Sequence, residues 1–356
     1  MQKINTEGIY KVMRIGKYTL HFNNIKPKII SYSSVCGSFE RDGPLGEFFD
    51  ETFEDSFFGK NSWEDAESKL QSASSAGAIK KSGLKNEDID FVFAGDLLNQ
   101  CISSTFGVKR FGIPFLGQYG ACSTMAQNII LSGIMVDSGT AHNCLAVTSS
   151  HFCAAERQFR TPLEYGGQRP TTSQWTVTGS GALIVGANKT HGSISSDYDQ
   201  IPYINFATVG KIVDFGVSDV SNMGAAMAPA AASTLKSFFM DTKTMPKDYD
   251  LILTGDLGVV GSKLLVDLLN KENIDIDKIH NDCGLMIYDR KAQDVHAGGS
   301  GCACSAVVLC SKILRDMRMG KINNILFIAT GALMSTTSSQ QGKTIPSIAH
   351  LVNIKI

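Results

Sequence analysis

The sequence predicts an α/β fold built by duplication, with two copies of a strand–helix–strand unit packed face to face in layers. Three observations predict it. First, Asp88-Ile89-Asp90-Phe91-Val92-Phe93-Ala94-Gly95-Asp96-Leu97 returns as Asp248-Tyr249-Asp250-Leu251-Ile252-Leu253-Thr254-Gly255-Asp256-Leu257, at an offset of 160 (250 − 90). Second, Ala121-Cys122-Ser123 returns as Ala303-Cys304-Ser305, at an offset of 182 (304 − 122), which also superposes residues 143–148 on 325–330. Third, residues 89–94 form a near-continuous apolar run, as a strand covered on both faces requires. A helix enclosed between two sheets must be apolar all round, and residues 303–313 carry Ala, Val, Leu and Cys on every face.

Taken in order, the first twelve or so residues read as a loose extension, and 14–23 and 27–35 as the first strands. The expected organisation is an extension and first strand over 1–26, one copy over 27–200 and the second over 201–356. Residues 42–46 are a turn by composition, and 48–60 a loop or short helix. Residues 63–81 are helical: Ser62 caps the helix, with Asp65 as the acidic partner of a capping box, and Gly83 ends it. Trp63, Ala66, Leu70, Ala73 and Gly77 share one face. Residues 111–116 make a short strand that runs into a turn at Cys122, and 123–136 the helix after it. Residues 144–147 and 182–186 are buried strands. Between them, 156–175 is a long polar excursion holding Arg157, Arg160 and Arg169. Residues 187–222 read as an irregular seam, and 225–232 as the second-copy counterpart of the 63–81 helix.

The chain of 356 residues is long enough for two cores, and its 43% hydrophobic and 19% charged content is that of an ordinary globular protein. A net charge of −1, with no dense Lys/Arg cluster, argues against nucleic acid as a partner. The nine cysteines sit in apolar runs and turns, and the polar start shows no secretion signal, so a reducing compartment is expected. Cys302-Ala303-Cys304 lacks a second pair at zinc spacing, so no metal or cofactor is expected. No apolar run is long enough to span a bilayer, so any work at a membrane is expected to go through a partner.

Cys122 lies where a strand turns into a helix. Unpaired N–H groups of the first helical turn would favour its thiolate, or would hold a carboxylate or oxyanion in its place. The alternative is a small buried packing residue.

A cysteine opening a buried helix in a duplicated α/β unit resembles the thiolase superfamily, which includes the ketoacyl synthases. The nucleophile of that family maps onto Cys122. Its second Gly-rich turn maps onto Gly298-Gly299-Ser300-Gly301-Cys302-Ala303-Cys304-Ser305, and its Gly-Asp-Gly-Ala-Gly strand start onto Thr178-Gly179-Ser180-Gly181-Ala182. The resemblance implies a thiolase-like fold, layered α-β-α-β-α with mixed sheets. A closer resemblance, to the stage V sporulation protein AD (SpoVAD) family, is carried by Asp42-Gly43-Pro44-Leu45-Gly46, Ala94-Gly95-Asp96-Leu97-Leu98-Asn99-Gln100 and Gly120-Ala121-Cys122-Ser123-Thr124. Thr148-Ser149-Ser150-His151, Ala155-Glu156-Arg157-Gln158-Phe159-Arg160, Met227-Ala228-Pro229-Ala230-Ala231-Ala232, the run 297–308 and Thr344-Ile345-Pro346-Ser347-Ile348-Ala349-His350 complete it. That family implies a soluble component of the SpoVA machinery, which moves dipicolinic acid (pyridine-2,6-dicarboxylic acid) across the forespore inner membrane. The protein would work peripherally at that membrane with other SpoVA proteins. It would bind dipicolinate, free or as the calcium chelate, in the old substrate pocket. A homodimer is also implied, with the strand at 144–147 as the edge used.

The residues present bear on whether the old chemistry survives. A condensing enzyme of the superfamily needs second-copy groups, His with His or Asn, to stabilise a carbanion and an oxyanion. Here Gly255-Asp256 follows the strand where the first His belongs, and Ser300 stands in the turn where the second group belongs. An ionised Asp256 would repel an enolate. The expectation is therefore a binding protein, not an enzyme, with an acyltransferase using Cys122 as the alternative. The candidate ligand residues are Lys60, Cys122, His151, Arg157, Arg160 and Ser300: cations or donors for two carboxylates, with Phe58, Phe152 and Phe159 as walls for the ring. Asp96 and Asp256 read as loop-fixing groups, and Cys302 and Cys304 as core.

Overall fold

The computed structural model describes residues 13–159, 169–187 and 200–356. Among them, ten strands form the path of the main sheet, with a two-stranded hairpin beside it. In chain order the strands are β1 (Met13–Ile15), β2 (Thr19–His21), β3 (Lys28–Cys36), β4 (Phe91–Gly95), β5 (Phe115–Gly117), β6 (Asn143–Ser150), β7 (Gly179–Gly186), β8 (Tyr203–Thr208), β9 (Leu251–Thr254), β10 (His280–Asp282), β11 (Asn324–Ala332) and β12 (Ser347–Lys355). The ten from β3 onwards lie in the order β10-β9-β11-β12-β8-β3-β7-β6-β4-β5. The β1–β2 hairpin hangs on β8 instead, through Leu20 opposite Ala207.

Read inward from either end, the two halves are the same. β5, β4 and β6 are parallel, then β7 and β3 run antiparallel; β10, β9 and β11 are parallel, then β12 and β8 run antiparallel. The halves meet at one antiparallel pair, Tyr203 opposite Lys28. The result is one continuous mixed sheet whose two halves form the β layers of an α-β-α-β-α arrangement. Helix α1 (Trp63–Ser82) covers β3, β6 and β7 on one outer face, and α5 (Met223–Thr242) covers β11 and β12 on the other. Helices α3 (Thr124–Asp137) and α7 (Cys302–Val308) lie between the two half-sheets. Helix α2 (Ile102–Val108) packs on α1, α4 (Phe152–Phe159) follows β6, and α6 (Gly258–Asn270) packs on α5.

The duplication is visible in detail. The outer helices have 20 residues each and start 160 positions apart, as do β4 and β9. Asp90 accepts from the N–H groups of His142 and Asn143, and Asp250 from those of Asn323 and Asn324. In each copy the same Asn closes the clamp from its side chain, onto Asp88 or Asp248. The second offset, however, is 181 (324 − 143), not 182. Phe91 pairs with Cys144 and Leu251 with Ile325, which agrees with that value. A shift of one residue exchanges the two faces of a strand, so the difference matters. Carried back without a gap, it sets Cys122 level with Ala303 rather than Cys304.

Local expectations hold where end signals are strong. Ser62 Oγ accepts from Asp65 N at 3.1 Å, and Gly83 closes α1 with φ +73°. Three readings change. Lys109–Phe111 is a short 3-10 turn closed by Gly112, so β5 starts only at Phe115. The seam region contains β8, a central strand whose alternation is too short to stand out between polar flanks. Finally, residues 144–147 belong to β6, which is paired on both sides and is not an edge; the open edge of the first copy is β5.

Candidate ligand pocket at Cys122

The site forms where the turn after β5 meets the turn before α7. On the first side the chain leaves β5 at Gly117 and reaches Cys122 through Ala121, which is held at φ +49°. A non-glycine residue in that region stores strain, and such positions cluster at functional sites. The helix start is satisfied from within. Ser123 N and Thr124 N donate to the carbonyls of Gly120 and Ala121, and Thr124 Oγ1 both accepts from Gly120 N and donates to Ala121 O. The N–H groups of Gly120, Ser123 and Thr124 are therefore committed within the turn and are not offered to a ligand.

The thiol follows the same logic. Cys122 is 6% exposed. Burial, then the Asp256 carboxylate, pushes the thiol well above its ordinary range. The expected stabilised thiolate is thus replaced by a protonated thiol, because desolvation and a neighbouring anion both oppose ionisation.

Asp256 comes from the second copy, just after β9. Its carboxylate accepts from Ser300 Oγ and Gly301 N, each at 3.0 Å, and from Thr330 Oγ1 at 2.8 Å. Burial raises its pKa, and the bonds from Cys122, Thr330, Gly301 and Ser300 oppose the rise. Gly301 is required at this turn: it has φ +101°, and a Cβ there would sit 2.7 Å from Ser150 Oγ. Its repeat mate Asp96 does only what the loop-fixing reading assigned, accepting from Leu98 N and from Ser104 N and Oγ. The wider role of Asp256 escaped sequence reasoning because its partners Ser300, Gly301 and Thr330 are remote in sequence. The missing histidine at that position was the available signal.

Between the two turns lies a cavity of about 40 Å³, lined by Cys122, Ser300, Tyr119, Leu97, Phe159, Met223 and Met334, with Thr176 and Glu156 on one wall. Thr176 Oγ1 donates to Glu156 Oε1 at 3.1 Å. Cys122 and Ser300 are the two predicted residues that meet here, and Phe159 is the one predicted aromatic wall. The other described candidates lie elsewhere. Lys60 is exposed. His151 is buried, with Nε2 on Ser56 O at 2.7 Å and its ring edge-on to Phe58; burial lowers its pKa, so it is neutral. Arg157 pairs with Glu64 and lies over the Trp63 ring. Arg160 falls outside the described residues. Phe152 stacks on Trp175 at 3.8 Å.

The chemistry open to this arrangement is narrow. Two donors of the second turn, Ser300 Oγ and Gly301 N, are turned onto an internal carboxylate, and no Lys or Arg stands among the described lining residues. A hole for an oxyanion needs free donors at that point.

The stage V sporulation protein AD (SpoVAD) family model matches residues 16–355. The chain belongs to the SpoVAD family. The stage V sporulation protein AD of Bacillus subtilis (strain 168) is 48% identical over 320 residues, covering 90% of this chain and 91% of that one. Solved structures of low identity share the fold of this SpoVAD-family chain. The 3-oxoacyl-[acyl-carrier-protein] synthase III of Aquifex aeolicus VF5 matches with a TM-score of 0.56 at 14% identity, over 93% of this chain and 100% of that one. A variant of Xanthomonas campestris OleA matches with a TM-score of 0.58 at 11% identity, over 94% and 99%. The architecture is therefore thiolase-like, and the sporulation assignment rests on the family.

Proposed function

We propose that this SpoVAD-family chain binds dipicolinic acid without transforming it, in the cavity at Cys122, as a component of the SpoVA machinery at the spore inner membrane. One observation carries the non-catalytic reading: Asp256 takes up Ser300 Oγ and Gly301 N beside a thiol that it helps to keep protonated. An acyl-transferring enzyme needs those donors for its intermediate and a thiolate for attack.

The cavity sets two conditions on the ligand. An aromatic ring needs about 150 Å³, so Phe159, Met223 and Met334 must swing aside to admit it; methionine side chains do this at low cost. The buried Asp256 carboxylate, bonded to Ser300 of the wall, disfavours a free dianion, so the electroneutral calcium chelate is the better guest. No helix among the described residues is long and apolar enough to cross a membrane, so attachment there would run through the membrane-bound SpoVA proteins. A homodimer would form by pairing of the open β5 edge, where Phe115, Leu116 and Tyr119 are exposed.

Incubation with acyl-CoA followed by intact-mass measurement tests the reading. The expected outcome is no adduct on Cys122, with a melting temperature that rises on adding dipicolinate and calcium. A covalent acyl-enzyme would favour the transferase instead.

A further inference from the structure

A second concave site lies away from Cys122 and shares no lining residue with its cavity. It is a groove of about 930 Å³ between α1, β3 and the helix that closes the second buried segment, α8 (Leu314–Arg318). Its charged lining is Lys80, Lys81, Arg315 and Arg318 against Asp50 and Glu51, four cations to two carboxylates.

Arg318 is the unusual member. It is only 4% exposed, and its Nε and Nη1 are buried with no hydrogen-bond partner among the described residues. The nearby carboxylate of Asp50 is already engaged, by Lys81 Nζ at 2.5 Å and by Ser34 N at 2.9 Å. A buried guanidinium with unmet donors is among the costliest arrangements in a protein interior. The backbone that delivers it is also irregular. Between α7 and α8 the helix widens into a π turn, Leu309–Ile313, which places Cys310 and Ser311 in the groove wall. Such turns are rare and occur frequently at functional sites. Tyr32 completes the floor. Burial pushes its phenol up to about 12, although Arg318 and Arg315 act in the opposite direction, so it stays a hydrogen-bond donor.

We propose that this groove binds a small oxyanion, a phosphate or carboxylate group, seated on the guanidinium of Arg318 with Lys80 and Arg315 at its rim. The planar fork of Arg suits both groups, and such an anion would satisfy donors that the fold leaves unmet.

The test uses the full chain in chloride buffer at constant ionic strength, with inorganic phosphate or succinate replacing chloride. The melting temperature should rise saturably with at least one of them, and the larger shift identifies the chemistry. Arg318→Met should abolish the rise while melting in chloride no lower than wild type, because it removes an uncompensated buried charge. The surface pair Lys80→Ala and Arg315→Ala, which leaves the buried floor intact, should weaken the calorimetric affinity at least fivefold. No rise in the wild type, an equal rise in Arg318→Met, or an unchanged affinity in the rim variant would each overturn the proposal.

Discussion

The carboxylate of Asp256 abuts the thiol of Cys122, and the pair joins the two copies of the fold at the point where a condensing enzyme would do its chemistry. Asp256 arrives from the second copy, Cys122 from the first. Burial and the Asp256 charge together hold this thiol protonated.

Removing the charge should release the thiol. Asp256→Asn deletes the anion but keeps one acceptor oxygen for Ser300 Oγ and Gly301 N, with its amide NH2 turned to the Thr330 hydroxyl, which can accept. Alkylation of Cys122 by iodoacetamide near pH 8, followed by peptide mapping, should speed up severalfold in the variant. Equal rates would remove Asp256 from control of this thiol.

The positions of the predicted ligand residues separate two groups of variants. Cys122→Ala and Ser300→Ala change the cavity wall and should reduce the dipicolinate-induced rise in melting temperature. Lys60→Ala and Arg157→Ala alter an exposed loop charge and a pair with Glu64, and should leave that rise unchanged. A loss confined to the second group would move the site out of this cavity.

Cavity size predicts a kinetic effect. Met334→Ala should enlarge the space and raise the association rate of the ligand, at a cost of about 2 kcal/mol in folding stability from lost packing. Stopped-flow binding and chemical denaturation measure the two effects separately.

Glu40 gives a pH signature. It is buried beside Tyr288 and Thr178, and burial lifts its carboxyl to about 7 from an ordinary 4.5. Below pH 4.5 both folded and unfolded chains hold the proton. Between 4.5 and about 7 the unfolded chain loses it and the folded chain keeps it, so this group's contribution to stability falls as pH rises through that window. The full swing is about 3 kcal/mol. Glu40→Gln cannot titrate, so denaturation midpoints of the variant should decline less than those of wild type over the same window.

The edge of β5 predicts assembly. Leu116→Lys places a charge on an exposed edge strand and should shift sedimentation from dimer to monomer, with no loss of secondary structure.

What the sequence discloses here follows from the range of the interactions involved. The two outer helices, the clamp residues Asp90 and Asp250 and the buried character of 303–313 are carried by local pattern or by repetition, and they were legible. The one-residue error in the second offset arose because Ala-Cys-Ser is a weak anchor, whereas Asn143 and Asn324 mark the true register through contacts 55 and 76 residues away. The pocket was half legible. Cys122 and Ser300 lie at turns that motifs can place. His151 and Arg157 are close to Cys122 in fold order, yet they point to Ser56 and Glu64 on the α1 side, a direction that sequence spacing does not encode. Asp256 was visible as a missing histidine but not as the hub that consumes Ser300, Gly301 and Thr330.

The most direct measurement is a calorimetric titration of the purified chain with dipicolinate, in the presence and absence of calcium. Saturable binding of one ligand per chain, tighter with calcium present, is the predicted result. Absence of saturable heat under both conditions would contradict the assignment of a diacid to the cavity at Cys122.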